Sequence, residues 1–388
     1  MINNAPLINK DRLAETFCSL VRIDSLSREE KDVSEALQII LKDLGGEISI
    51  DNAGEAVSGN TGNLVAKFKG TIDVPPMMLC GHMDTVGPGK GIEPYLDNGI
   101  FRSKGDTILG ADDKSALAII IEVLRVLKEN GIEHGPLDVV FTICEEIGLL
   151  GAKHFDTRRI DSTFGYILDS TDRDGIFTKA PFACKFKIKI IGKAAHAGAA
   201  PEKGISSILL ASKAIAELTW GRIDHETTCN VGKIIGGVAT NIVAEQTNII
   251  GEVRSHDKEK LDRIISDITR VFEKTIDDAR KTSPDQERPI VEIRVDQDFP
   301  GTNIPDNHPV VLLAKKAAKT LGMAMETKTT GGGADANVFF DKGIVSGVLG
   351  TGMTDVHTLQ ESIALDDMVS CSNLLLTIID LHAKRTPL

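Results

Sequence analysis

The stretch MMLCGHMDTV, Met77 to Val86, constrains this chain more than any other. Its apolar run is long enough for a strand buried on both faces. It then ends in His82 and Asp84, two polar side chains at i and i+2, which share one side of a strand. The pattern recurs. LGADDKSA places Asp112 and Asp113 just before a helical pattern, and TICEEIGLLGA places Glu145 and Glu146 after an apolar run. YILDS places Asp169 after another run, and TDVHTLQE places His357 in a loop. Ligands of open α/β sheets bind beyond the carboxyl ends of the strands. The spacing therefore predicts one sheet edge crowded with carboxylates and imidazoles.

The rest of the chain fits such a sheet. Helical periodicity predicts helices over 9–22 and from SREE to about residue 44, where Ser27 and Glu30 fit a capping box. Strands are expected at 63–69, 76–82, 137–144 and 165–169, with a long helix at 113–130. Near residue 183 the pattern changes. A strand at 184–192 alternates cleanly, followed by a helix at 204–219 and strands at 229–236 and 242–255. A helix at 257–282 and a strand at 290–296 complete a β-α-β-β-α-β order, the ferredoxin-like unit. After Pro300 come a helix (308–321), a glycine-rich loop (331–333), a strand (344–349) and a last helix (366–384). The expected fold is an α/β domain, a mixed sheet with helices on both faces, formed by residues 1–182 and 297–388. An inserted α+β domain spans 183–296.

Composition excludes some functions. The formal net charge of −12 argues against a nucleic-acid partner, which favours a basic stripe. No run of about 18 apolar residues occurs, so no membrane span is expected. The N-terminus lacks a basic segment followed by an apolar one, so no signal peptide is expected. The six cysteines form no CxxC pair and read as buried thiols of a reducing, cytoplasmic compartment.

Singly, each polar signal has a plainer reading: a capped turn for His-x-Asp, an N-cap for the Asp pair, a solvated face for the Glu pair. Together at one sheet edge they need positive charge, because gathered carboxylates repel and their pKa values rise. A pair of divalent ions supplies it, and Zn²⁺ accepts both imidazole nitrogen and carboxylate oxygen. His82 then reads as a ligand, with Asp84 fixing its ring tautomer.

As an ordered set, GHMDTV, GADDKSA, CEEIGLLGA, LDS and HTLQE resemble the two-zinc metallopeptidases that include peptidase T, carboxypeptidase G and aminoacylase, the peptidase T-like aminopeptidases above all. The resemblance covers essentially the whole chain. It implies that His82 and Asp169 bind one zinc, Glu146 and His357 the other, and that Asp112 bridges them. It makes Glu145 the general base, counts Asp84 among the catalytic residues as the partner of His82, and implies a cis peptide between Asp112 and Asp113. In the inserted domain it assigns His196 to the scissile carbonyl and Asn241 and Arg254 to substrate. GGGADAN is similar to the family's substrate-binding glycine loop, through Gly332 and Gly333, although Ala334 stands where a hydroxyl residue is usual. The implied activity is release of the N-terminal residue from short peptides, tripeptides in particular, with two Zn²⁺ per subunit. Mn²⁺ or Co²⁺ suits the same ligands. The implied partners are a short peptide and a second copy of the chain, paired through the inserted lid domain. Rival implications are an N-acyl-amino-acid hydrolase or carboxypeptidase on the same metals, and a metal-binding scaffold without catalysis, which would have no use for Glu145.

Overall fold

The continuous apolar runs become a parallel core. In the computed structural model, which describes residues 7–283, 285 and 287–385, strand Met77–His82 lies between Leu137–Thr142 and Phe164–Ile167, parallel to both. Val345–Leu349 adds in parallel beside Phe164–Ile167. Every residue of Met77–His82 and Leu137–Thr142 is buried, as expected of strands covered on both faces. Antiparallel strands complete a nine-stranded mixed sheet, among them Leu64–Phe68 on one side and Gly175–Ala180 on the other. Because the central strands run the same way, His82, the residues after Thr142 and those after Ile167 leave the sheet at one edge.

Helix Ala111–Asn130 is buried along most of its length, Ala116 to Leu124 without a break, because it packs between the sheet and helices Lys10–Val21 and Leu365–Ala383. A helix that is apolar nearly all round belongs inside a core. A small second sheet joins Met353–Thr354, Ser362–Ala364, Ile100–Lys104 and Glu93–Asp97. The sequence pattern did not predict these strands, the first two of which have too few residues to show a period.

The chain divides into two compact units, Met1–Lys179 with Thr302–Leu388, and Ala180–Gly301. The second unit contains strands Phe182–Ile191, Thr227–Gly236, Gln246–Ser255 and Ile290–Phe299, with helices Ser207–Ala216 and Lys258–Lys281. Phe182–Ile191 sits between Gln246–Ser255 and Ile290–Phe299, antiparallel to both, and Thr227–Gly236 flanks Gln246–Ser255. Phe186, Ile188 and Ile190 point into its core while Lys185 and Lys187 are exposed. The first helix begins at Ser207 rather than 204, because Ser206 Oγ accepts from Leu209 N at 3.2 Å and fixes the cap there.

Two expectations need correction. Ser27 and Glu30 form no capping box: helix Lys31–Asp43 has Glu30 at its N-cap without a side-chain cap bond, and both residues serve the site described below. Cys18 is half-buried rather than buried; all six cysteines are free. Among the described residues, no helix is long and apolar enough to cross a membrane.

Candidate active site

His82 is the last residue of its strand. Its Nδ1 lies 2.9 Å from the backbone carbonyl of Asp84. A carbonyl only accepts, so Nδ1 carries the proton and donates. In the neutral ring, Nε2 is then a bare lone pair, and it faces Asp112 Oδ1 at 3.1 Å. The other oxygen of Asp112 lies 3.3 Å from His357 Nε2. That nitrogen is also 3.0 Å from the Glu146 carboxylate. Asp112 therefore stands between two imidazoles, with acceptors facing acceptors unless positive charge lies among them.

The neighbouring charges respond to this crowding. Burial works to raise the Asp112 carboxyl, but hydrogen bonds from His357 and His82 hold it below the usual range. Burial opposes protonation of His82, yet Asp112 and Asp84 hold its imidazole well above the ordinary value. Hydrogen bonds to Asp112 and Glu146 push His357 up to about 10. Burial raises Glu145, Glu146, Asp113 and Asp169; the charge of Asp169 adds to the effect on Glu145, and that of Asp112 to the effect on Asp169.

Two groups of side chains could each hold a cation: His82 with Asp112 and Glu146, and His82 with Asp113 and Asp169, each offering atoms within 4.8 Å of one another. A third such group, Asp224, His225 and Glu226, lies on a turn of the second unit. There Lys260 Nζ already donates to Asp224 at 2.9 Å and Glu226 at 2.6 Å. All five residues expected as ligands are thus gathered in the first unit, with Asp113 beside them. The helix opening explains the arrangement. Asp112 and Asp113 depart from helical φ/ψ, and the peptide between them is cis. Asp113 Oδ2 accepts from His82 N at 3.1 Å, and its Oδ1 is buried without a protein partner.

The Asp84 carboxylate faces His82 and also holds the turn that follows Thr142. It lies 3.4 Å from His82 Nδ1, whose closer contact is with the carbonyl of the same residue. Its Oδ1 also accepts from Glu145 N at 3.0 Å, and Oδ2 accepts from Glu146 N at 3.3 Å and Ser27 Oγ at 2.6 Å. Glu30 fastens the preceding residue. Its Oε1 accepts from Cys144 N at 3.0 Å and Arg28 N at 2.9 Å. Cys144 has a left-handed φ of 53°, uncommon for a residue with a side chain, and this turn aims the two glutamates. Asp335, two residues beyond Gly333, is also buried here. Its Oδ2 accepts from Thr142 Oγ1 at 2.5 Å, and burial pushes it up to about 6.

Gly332 N donates to Thr330 Oγ1 at 3.0 Å, and Gly333 follows it half-buried. At Ala334, which has no hydroxyl, Asn337 Oδ1 accepts from the backbone N at 3.1 Å. The remaining expected residues belong to the second unit. His196 is exposed, and its Nδ1 accepts from Gly198 N and Ala199 N, both at 3.2 Å. Its Nε2 is therefore the protonated, outward nitrogen. His196 and Ile242 form a bridge that brings Asn241 alongside, with Ala197 N donating to Asn241 O at 2.9 Å. Arg254 donates to Glu252 Oε2 at 3.1 Å, and its guanidinium lies 5.6 Å from the ring centre of Phe299.

Residues 78–381 match the model of peptidase family M20/M25/M40, a span that runs from the His82 strand past His357. The chain belongs to this family. It is a metallopeptidase. Three similar proteins align with it nearly end to end. Protein YqjE of Bacillus subtilis (strain 168) is 39% identical over 379 residues, 97% of this chain and 100% of its own. The crystal structure of aminopeptidase PepT from Bacillus cereus ATCC 10987 superposes with a TM-score of 0.90 at 39% identity, covering 97% of this chain and 100% of that one. A tripeptidase from Staphylococcus aureus subsp. aureus Mu50 gives 0.92 at 38% identity, with the same coverage.

The sequence showed no role for Ser27 and Glu30 beyond a capping box, for Asp113 beyond its place at the sheet edge, or for Asp335 and Glu361. Each stood inside a quoted motif, and none carried a signal separating it from a cap or a loop residue.

Proposed function

We propose that this M20 metallopeptidase is an aminopeptidase that releases the N-terminal residue of short peptides, tripeptides foremost, with two divalent ions held at Asp112. The observation that carries the reading is Asp112 itself, a buried carboxylate flanked by two imidazole nitrogens and backed by Glu146 and Asp169. This donor set of nitrogen and carboxylate oxygen fits Zn²⁺, with Mn²⁺ or Co²⁺ as alternatives. His82 and Asp169 would hold one ion, Glu146 and His357 the other, with Asp112 shared. When bound, such a pair supplies Lewis acidity and a more acidic water.

The chain's own residues do the rest. Glu145 accepts the proton of the attacking water and returns it to the leaving amine. Its backbone is pinned by Asp84, so the carboxylate is aimed before substrate arrives. His196 donates from Nε2 to the carbonyl oxygen as negative charge develops there. Arg254 grips a substrate carboxylate, Asn241 contacts the peptide, and the backbone at Gly332 and Gly333 lies along it. Six free thiols support a cytoplasmic setting.

The second unit supports pairing of two copies. Its outer strand Thr227–Gly236 is covered near its start, by Gly221–Arg222 at Thr228 and Cys229 and by Ile223 N at Thr227 O; among the described residues no strand pairs with the outer side of Lys233–Gly236. Around that edge Leu209 is 55%, Ile234 49%, Ile235 55% and Val238 86% exposed. Edges of this kind template strand pairing. Light scattering reads the mass directly, and a monomer at working concentration would overturn the pairing.

The activity is tested with a panel of tripeptides, dipeptides, N-acetylated tripeptides and N-acetyl amino acids. Free-amine tripeptides should turn over fastest and acetylated ones not at all. Turnover of the acetylated compounds with the free peptides untouched would overturn the aminopeptidase reading. In the same panel, His196→Ala should lower kcat by about 10²–10³ with KM little changed; a near-normal kcat would make His196 structural.

A further inference from the structure

Glu361 lies four positions after His357 and is 2% exposed. Its Oε2 accepts from Leu109 N and Gly110 N, both at 2.8 Å, and its Oε1 accepts from Asp112 N at 3.0 Å. These donors sit at the head of helix Ala111–Asn130, whose N-cap, Gly110, has no side chain to satisfy them. The first N–H groups of a helix have no partner within it, and a carboxylate there also meets the positive end of the helix dipole. Glu361 is thus the helix cap, delivered from about 250 residues away.

The same residue anchors the His357 loop. That loop, 355–361, spans the hairpin between Met353–Thr354 and Ser362–Ala364, which is fixed in turn to Ile100–Lys104. Asp355 and His357 both have left-handed φ, 52° and 64°. Glu361 N donates to Thr358 O at 3.2 Å, closing the turn from which its side chain reaches the helix. The carboxylate therefore ties the backbone N of Asp112 to the loop that carries His357.

We infer that Glu361 is a positioning residue that sets the separation of Asp112 and His357, and with it the affinity for the divalent ion they share. This rests on the metal site proposed above. Glu361 does not touch the ion; it acts through the two side chains that would. Glu361→Gln tests the acceptor rather than the size, because an amide offers one accepting oxygen and turns an NH₂ toward backbone N–H donors. Glu361→Asp keeps both oxygens but withdraws them by one methylene. Asp138→Asn is the control for a purely structural loss. Asp138 is a buried carboxylate that accepts from Asp161 N, Ser162 N and Ser162 Oγ, each at 2.8 Å. It lies near the start of its strand, away from the edge that carries the site.

Metal-free wild type and the three variants are titrated with Co²⁺, followed by visible absorption and by competition with a chelator, with thermal melts in parallel. Glu361→Gln should bind Co²⁺ about 10–100-fold more weakly, the usual effect of losing a residue that orients a ligand, with an altered absorption band. Glu361→Asp should fall between it and wild type. Asp138→Asn should lower Tm and leave Co²⁺ affinity unchanged. Wild-type affinity in both Glu361 variants, or equal weakening in Asp138→Asn, would overturn the inference while leaving the metal site standing. A wild-type chain that does not bind Co²⁺ tightly would overturn the site and the inference together.

Discussion

Glu145→Gln is expected to leave a folded, fully metallated protein whose kcat is lower by about 10²–10⁴, the usual worth of a general base. Glu145 and Glu146 are adjacent, yet the geometry separates them. Glu146 lies 3.0 Å from His357 Nε2 and belongs with His82 and Asp112 to a group that could hold a cation, whereas Glu145 belongs to neither of the groups formed around His82. The backbone N of Glu145 donates to Asp84, and that bond does not depend on the side chain. Glutamine keeps the size of Glu145 and cannot take the proton. KM should change little, because the lost interaction belongs to the transition state. The check is kcat on a tripeptide with metal content measured on the same sample. Retained activity, or metal lost from Glu145→Gln but kept in Glu146→Gln, would reverse the two assignments.

Asp112→Ala is expected to remove both ions. Each of its oxygens meets a different imidazole, at 3.1 Å for His82 and 3.3 Å for His357, so one substitution takes a ligand from each half of the site. Alanine also leaves His82 Nε2 and His357 Nε2 without their shared counter-charge. Elemental analysis should find no stoichiometric divalent metal and an assay no turnover. A variant that keeps two ions would show that Asp112 does not bridge.

Much of this site was legible because it is built at the ends of buried strands. A parallel strand between two others must be apolar on both faces, so its first polar residue marks where it leaves the sheet, as at His82 and Asp169. The fastenings were not legible in the same way. Ser27 and Glu30 stand at the i, i+3 spacing of a capping box, and that local pattern is indistinguishable in sequence from what they do. Their real partners are distant: Asp84 lies 57 residues from Ser27, and Cys144 lies 114 from Glu30. Glu361 sat inside HTLQE, but its three donors belong to a helix start about 250 residues earlier. Nor does a pair of adjacent aspartates reveal which one faces the imidazoles. At Asp112 and Asp113 the backbone leaves helical φ/ψ, and the rule for which face a residue takes fails there.

The central claim is that hydrolysis needs two divalent ions held at Asp112. It is tested by stripping the wild-type protein with a chelator and titrating Zn²⁺ back while following the initial rate on a free-amine tripeptide. Activity should vanish on stripping and rise to its full value at two equivalents per chain, with elemental analysis agreeing. Full turnover by the metal-free protein, or saturation without any bound metal, would contradict it.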